Sequence, residues 1–370
     1  MLALAEYIWM DGGSEDSTVQ KLRSKTRVIS GPRIPSARGP SDKSFRIEDF
    51  PIWNFDGSST LQSGGGNSDL TLKPVRFVND PLRGEGNYLV MCEVMNNDGT
   101  PHISNTRARL NAVLTEMGTE KHDPWFGFEQ EYTLYSTETG RPLGWPSKGL
   151  PARVQGPYYC GVGADEVSGR ELVEDHLRAC LNAGIMIYGI NAEVMLGQWE
   201  YQIGHRGFEG ETADPLTVAD HLWLSRYLLY RIGESYGIAA TLSCKPEKGD
   251  WNGAGAHTNF STANMRDKET GADAIELAID KLSRKHKAHI KAYGEGLDQR
   301  LTGKHETCGI DEFKSGAADR GASIRIPAHV AAQGYGYIED RRPGANCDPY
   351  MVCERILRTV CVSKGTPALV

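Results

Sequence analysis

The run Gly127-Phe128-Glu129-Gln130-Glu131-Tyr132-Thr133-Leu134-Tyr135 constrains this chain more than any other. It is aromatic and alternating, the pattern of a β-strand. Side chains two residues apart on a strand point to the same face. Glu129, Glu131 and Thr133 therefore share one face, and Phe128, Tyr132 and Leu134 share the other. Two carboxylates at adjacent positions of one face repel, and a core strand would not choose them. A divalent cation between them removes the conflict, because carboxylate oxygens are natural ligands of magnesium and manganese. On this strand alone, a solvated face with two ordinary surface acids stays open as the alternative.

A second acidic pair shifts the balance. Residues 189–203 read as a hairpin with Leu196-Gly197 as its two-residue loop. In that register Met195 faces Gln198, and Glu193 faces Glu200. Like charges directly opposite each other destabilise paired strands. Two such pairs in adjacent β elements point to a shared cation. His257 is a candidate to complete the site, although alone it reads equally as a structural histidine. It follows Asn252-Gly253-Ala254-Gly255, whose glycines let a ligand approach the backbone closely. This is not a Walker loop, because the G-K-[ST] ending is missing. A polar run follows, with Arg300, His305, Glu306, Arg320, Arg325, Glu339, Arg341 and Arg342. Residues 322–327 alternate like a strand, with Ser323 and Arg325 on one face, and Glu339 and Arg341 are also two apart. Arginines among acids suit phosphoryl transfer, where metals neutralise phosphates and guanidinium forks clamp oxygens. A surface ion-pair network is the plainer reading of each arginine taken singly.

Composition narrows the class. The chain has 370 residues, 39% hydrophobic and 24% charged, a globular balance with room for two domains. The net charge of −7, with no concentrated basic block, argues against nucleic acid or an anionic membrane as partner. No apolar run approaches the roughly 20 residues a membrane span needs. The most apolar helix candidate, at 222–232, is interrupted by Arg226 and Arg231. Met1-Leu2-Ala3-Leu4 meets Glu6 almost at once, so no signal peptide is expected. Eight cysteines without a C-x-x-C pair fit reduced thiols and a cytoplasmic location. Cys308 reads as a structural bystander.

The order of elements gives a division. A hairpin is expected from strands at 5–10 and 25–29, followed by a Pro, Gly and Ser loop at 31–45. A long small-residue loop follows residues 51–60, with Asp56 just ahead of it as a candidate site acid. Strands at 75–78 and 88–94 complete a β-rich N-terminal domain over 1–100, leaving 101–370 as a larger domain. Asn105 reads as the N-cap of a helix to about 117, and Gly184 closes one over 170–183. Asp214-Pro215 starts a helix to about 235. A strand at 238–243, a long helix over 272–292 and a last helix capped by Asp348 and running to about 362 follow.

Eight blocks in order resemble one family, glutamine synthetase, and most closely its type II, eukaryotic-like class. They are "WNFDGSSTLQS" at 53–63, "FGFEQEYTL" at 126–134, "GPYYCGVGAD" at 156–165, "NAEVMLGQWE" at 191–200, "KPEKGDWNGAGAHTNFST" at 245–262, "LTGKHET" at 301–307, "ASIRIP" at 322–327 and "EDRRPGANCDPY" at 339–350. The resemblance implies an α+β fold, with a β-grasp N-terminal domain and a catalytic domain built on a curved antiparallel sheet flanked by helices. It implies ATP, L-glutamate and ammonium as substrates, two or three Mg2+ or Mn2+ ions per site, and stacked rings, as a decamer, with active sites between subunits.

Carried over by motif, Glu131, Glu193 and Glu200 would hold one ion, and Glu129, His257 and Glu339 a second. Asn252 and Gly253 would contact glutamate, and Arg300 its carboxylate. Arg320 and Arg341 would bind the transferred phosphoryl group, and Arg325 nucleotide phosphate. Trp125, Asn259, Ser261, Arg266 and Tyr337 would line the nucleotide pocket. Glu306 would lie on a closing flap, and Asp56 of a neighbouring subunit would take a proton from ammonium. The chain departs from the family at His205-Arg206, where proline is usual, and this bears on the nucleotide-pocket wall. Its start close to the first strand and its short C-terminal tail are further departures. Two other readings are a glutamate–polyamine ligase of the same fold and a non-catalytic structural relative. The Asp56 block and Glu306 favour ammonia, and the six retained ligand positions favour catalysis.

Overall fold

The computed structural model describes residues 2–362 apart from 15, 16, 18, 31–44, 67, 116, 117, 152 and 154. The loop expected at 31–45 and the end of the helix expected near 117 therefore lie largely outside the described residues. The chain divides into two compact units, Met1–Ala108 with Ala179–Ile185, and Arg109–Arg178 with Met186–Val370.

The first unit is a five-stranded sheet. β1 (Leu2–Met10) and β2 (Leu22–Ser30) form the antiparallel hairpin, with Leu2 opposite Ser30. β3 (Trp53–Asp56), β4 (Asp69–Asn79) and β5 (Tyr88–Met95) complete the order β2-β1-β5-β4-β3, in which β1 and β5 run parallel. The sequence marks neither β3 nor the first half of β4. Pro74 explains part of this: it has no N–H to donate, and the register shifts between Pro74 and Arg76. β3 is held by packing that local pattern does not display. Phe55 meets Trp9 at 4.9 Å and Trp53 meets Tyr7 at 5.5 Å between ring centroids. Asp56 ends β3, and its side chain caps the short 3-10 turn Gly57–Thr60. α1 (Thr106–Thr115) follows, with Asn105 Oδ1 accepting the Ala108 amide at 3.0 Å.

The elements that follow are β6 (Trp125–Ser136), α2 (Arg170–Ala183), β7 (Ile187–Ala192), β8 (Gln198–Ile203), α3 (Pro215–Tyr236), β9 (Ile238–Thr241) and β10 (Ala256–Ser261). After these come α4 (Ala263–Arg266), α5 (Gly271–Arg284), α6 (His286–Ile290), α7 (Leu297–Arg300), β11 (Ser315–Ala317), β12 (Ile324–Ile326), α8 (Ala328–Gln333), β13 (Ile338–Asp340) and α9 (Pro349–Val360). The sheet of the second unit has the order β11-β12-β13-β10-β6-β8-β7, with β9 also paired to β6. Every pairing in it is antiparallel except β11 with β12.

Helix ends follow local chemistry. In α3, Asp214 accepts the Thr217 amide at 3.0 Å, Pro215 takes the first helical position, and Gly237 closes the helix at φ 62°. α3 also pins the acidic strand. Its buried Arg226 donates from Nε and Nη2 to Gln130 Oε1 at 2.9 and 2.6 Å, and to the carbonyls of Cys347 and Ala345. Gln130 alternates with Glu129 and Glu131, so this anchor grips β6 from the face opposite its acids.

Two expectations change. The helix expected over 272–292 is broken at Lys285, which has φ −114° and ψ 14°. Beyond the break, His286 Nε2 meets the Ile310 carbonyl at 2.7 Å, and His289 bridges Tyr293 and Thr359. These tertiary bonds leave no mark on helical periodicity. The hairpin register also differs. Asn191, not Glu193, stands opposite Glu200. The Glu193 amide donates to the Gln198 carbonyl at 2.9 Å, so Glu193 belongs to the wider turn between the strands. The acid that does face Glu200 is Glu131, across β6 and β8. Among the described residues no helix is long and apolar enough to cross a membrane.

Candidate active site

Strand pairing stacks three rows of side chains on one face of the second sheet. Asn191, Glu200 and Glu131 are neighbours in the first row. Two residues along each strand, Gln202, Glu129 and His257 form the second. Two further on, Asn259, Glu339 and Arg325 form the third. Glu193 enters from the turn, where Asn191 Nδ2 and the Val194 amide each donate to its carboxylate at 3.1 Å.

Ligand atoms of Glu131, Glu193 and Glu200 lie within 4.8 Å of one another, as do those of Glu129, Glu200 and His257. Glu200 belongs to both groups. Glu339 adjoins the second, with Oε1 3.6 Å from His257 Nδ1, and is gripped by Arg325 and Arg341 at 2.6 and 2.5 Å. Asn259 Nδ2 donates to Glu129 at 3.0 Å.

The electrostatics are those of a cation site. Burial, then the neighbouring Glu131, pushes Glu193 up to about 8. Burial and then Glu129 hold Glu200 well above the ordinary carboxylate range. Burial raises Glu131 too, against the pull of Arg300. Burial, then Arg341, keeps His257 well below its ordinary value, so its imidazole is neutral. Buried like charges penalise their own ionisation, and a divalent cation reverses that penalty. Carboxylates with one neutral imidazole suit a hard divalent ion.

The glycines serve an arginine. A Cβ at Gly255 would lie 2.3 Å from Arg300 Nη2, and one at Gly253 would lie 2.7 Å from Arg300 Cγ. Their absence lets buried Arg300 reach His257 Nε2 at 3.2 Å and the Arg341 carbonyl at 3.1 Å. Close approach was expected there for a ligand; the structure shows it first for Arg300.

A cavity of about 940 Å³ opens over these rows. The six candidate ligands line it, together with Asn252, Gly253, Asn259, Arg300, Glu306, Arg320, Arg325, Tyr337 and Arg341. Trp125, Ser261 and Arg266 do not. They form a separate cluster, with Arg266 4.1 Å above the Trp125 ring and 2.9 Å from Ser261 Oγ. His205 joins it, its ring stacked on Trp125 at 5.1 Å, while Arg206 pairs with Glu211. Asp56 lies in the first unit. Ser58 and Ser59, through two hydroxyls and an amide, bring its pKa down to about 2.

Sequence reasoning passed over Gln155, Tyr159, Tyr188, Asn191 and Gln202, which also line the cavity. Period-two alternation carried one step past Glu200 reaches Gln202, and one step before Glu193 reaches Asn191. Gln155, Tyr159 and Tyr188 carry no comparable signal.

One lining that gathers six glutamates, two histidines and four arginines defines an enzyme handling anionic substrates with divalent cations. Residues 3–97 match the family profile described as glutamine synthetase, beta-Grasp domain, and residues 104–290 match glutamine synthetase, catalytic domain. The chain is 52% identical over 361 residues to the chloroplastic glutamine synthetase of Chlamydomonas reinhardtii, covering 96% of this chain and 90% of the relative. It is 52% identical to the glutamine synthetase of Streptomyces viridochromogenes, covering 96% of each, and 50% identical to that of Mus musculus, covering 97% and 90%. The chain belongs to the glutamine synthetase family.

Proposed function

We propose that this protein ligates ammonia to L-glutamate at the expense of ATP, giving L-glutamine, ADP and phosphate through γ-glutamyl phosphate. One observation carries the reading: three strand-paired rows bring five of the six candidate ligands and Arg325 onto one face, and Glu193, Arg300, Arg320 and Arg341 line the same cavity. A carboxylate has no leaving group for ammonia to displace, and phosphorylation supplies one.

Glu131, Glu193 and Glu200 would hold one Mg2+ or Mn2+, and Glu129, His257 and Glu339 another. Bound there, the ions would neutralise phosphate oxygens during transfer. Arg300 takes the glutamate carboxylate beside Asn252 and Gly253. Arg320 and Arg341 hold the phosphoryl group, and Arg325 the nucleotide phosphates. Asn259 and Tyr337 border the nucleotide, with Trp125, Ser261 and Arg266 further out. Glu306 closes the site against water. Asp56 serves ammonium; its low pKa favours gripping the cation over retaining its proton, so deprotonation relies on water being excluded.

The family resemblance supports stacked rings, as two pentamers with active sites between subunits, and a division into residues 1–100 and 101–370. Eight cysteines, seven of them buried and none in a disulfide among the described residues, support a reducing compartment such as the cytoplasm. Purified protein with ATP, glutamate, ammonium and either metal is expected to form glutamine and phosphate in equal amounts. No glutamine with either metal overturns the reading, and preferential turnover of putrescine transfers it to a polyamine ligase.

A further inference from the structure

The turn Lys304-His305-Glu306-Thr307 presents Glu306 to the cavity. The Thr307 amide donates to the Lys304 carbonyl at 3.2 Å, while His305 and Glu306 have φ 51° and 58°. Positive φ at both central positions is the type I′ pattern, which favours Asn and Gly. A histidine and a glutamate there are strained, and such strain persists only where surrounding contacts enforce it.

His305 supplies those contacts. Its Nδ1 lies 2.7 Å from Gln155 Nε2, and its Nε2 lies 2.8 Å from Asp250 Oδ1. Gln155 Oε1 accepts the Asn252 amide. That amide can only donate, so the oxygen of Gln155 must face it and the NH2 must face His305. Nδ1 then accepts, and Nε2 carries the proton donated to Asp250. A proton on Nδ1 would set donor against donor. The chain of bonds has one direction and requires a neutral imidazole.

Its far end reaches the glutamate loop. Asn252 Nδ2 donates to Gln198 Oε1 at 3.1 Å, and Gln198 Nε2 donates to the Gly253 carbonyl at 2.9 Å. The two ends differ in weight. The Asp250 side chain is 85% exposed and that of His305 only 22%, so water competes for the Asp250 bond far more than for the Gln155 bond. We propose that Gln155 and His305 form a latch between the Asn252–Gly253 loop and the Glu306 turn, coupling glutamate binding to exclusion of water. This rests on the activity proposed above. Both are positioning residues, acting through Asn252 and Glu306.

An open latch admits water. Water attacks the acyl carbon of γ-glutamyl phosphate, phosphate leaves with the bonding electrons, a proton is released and glutamate returns. The net reaction is ATP plus water to ADP plus phosphate, with no glutamine.

The test uses the whole chain with Mg2+ and limiting ammonium, measuring phosphate and glutamine together at saturating glutamate and the glutamate and ATP KM values in separate titrations. His305→Gly suits the positive φ and removes the side-chain bonds together with the backbone strain, so folding is not the obstacle. Gln155→Leu removes the relay from the other side. Each is expected to raise the phosphate-to-glutamine ratio from one to about two or more, and glutamate KM about fivefold, with ATP KM within about twofold. His305→Asn keeps an acceptor and tolerates positive φ, so it restores a ratio near one. A ratio of one with unchanged glutamate KM in both His305→Gly and Gln155→Leu overturns the latch. Hydrogen exchange at the Thr307 amide tests it apart from activity: faster exchange in Gln155→Leu, which leaves the turn's own residues unchanged, supports the latch, and unchanged exchange overturns it. Wild-type protein that makes no glutamine defeats the proposed activity, and the exchange measurement then decides the latch alone.

Discussion

Metal-free protein is expected to lose stability as pH rises from 5 to 8. Glu193 titrates at about 8 in the folded state against an ordinary 4.5, chiefly through burial and then through Glu131. Between those values the folded protein binds more protons than the unfolded chain. Stability rises with pH only where the unfolded chain binds more, so here it falls. The contribution is complete below the ordinary value and gone above the folded one. At about 1.4 kcal/mol per unit, that separation corresponds to about 5 kcal/mol. Glu193 interacts with Glu131 and Glu200, so the cluster titrates together and the loss belongs to it as a whole. For a unit of this size the melting temperature should fall by about 10 °C or more. Calorimetry in EDTA at stepped pH measures it. Glu193→Gln should flatten much of the slope and be more stable than wild type at pH 8.5 without metal. Excess Mg2+ or Mn2+ should restore wild type, by about 2.7 kcal/mol at a hundredfold excess over Kd, and restore the variant less. A flat profile from pH 5 to 8.5, or a less stable variant in EDTA at pH 8.5, refutes repulsion within this cluster.

Gly255→Ala should lower kcat/KM for glutamate by about a hundredfold or more, because its Cβ would occupy the space of Arg300; an active variant with unchanged KM contradicts this. Arg342→Met leaves buried Asp340 without its bidentate partner and should cost about 3–5 kcal/mol by denaturant titration; the double variant with Asp340→Leu should recover much of the loss. Asp56→Asn should raise ammonium KM about 10- to 100-fold, with ATP KM little changed. In wild type, ammonium KM should show no break attributable to Asp56 between pH 5 and 9, since its pKa lies near 2.

The chain's local grammar was readable wherever the governing force acts over a few residues. Caps are of this kind: Asn105, Asp214 and Asp348 start their helices by accepting nearby amides. Alternation is another, and it put Glu129 and Glu131 on one face of β6 while Gln130 turned away. The break at Lys285 was invisible because distant groups, Ile310 and Thr359, receive the histidines that follow it. β3 was hidden for the same reason, since Tyr7 and Trp9 lie more than forty residues earlier in the chain.

The site divides along the same line. Sequence alone marked the carboxylates as candidate ligands, because carboxylates crowded on one strand face make poor core and good ligands. Tertiary structure alone decided who faces whom. Glu200 is paired across the strands with Glu131 rather than Glu193, Glu193 joins them from a turn, and two glycines make room for Arg300. Spacing along a strand is set by its own backbone, whereas register between strands is set by the packing of the whole sheet.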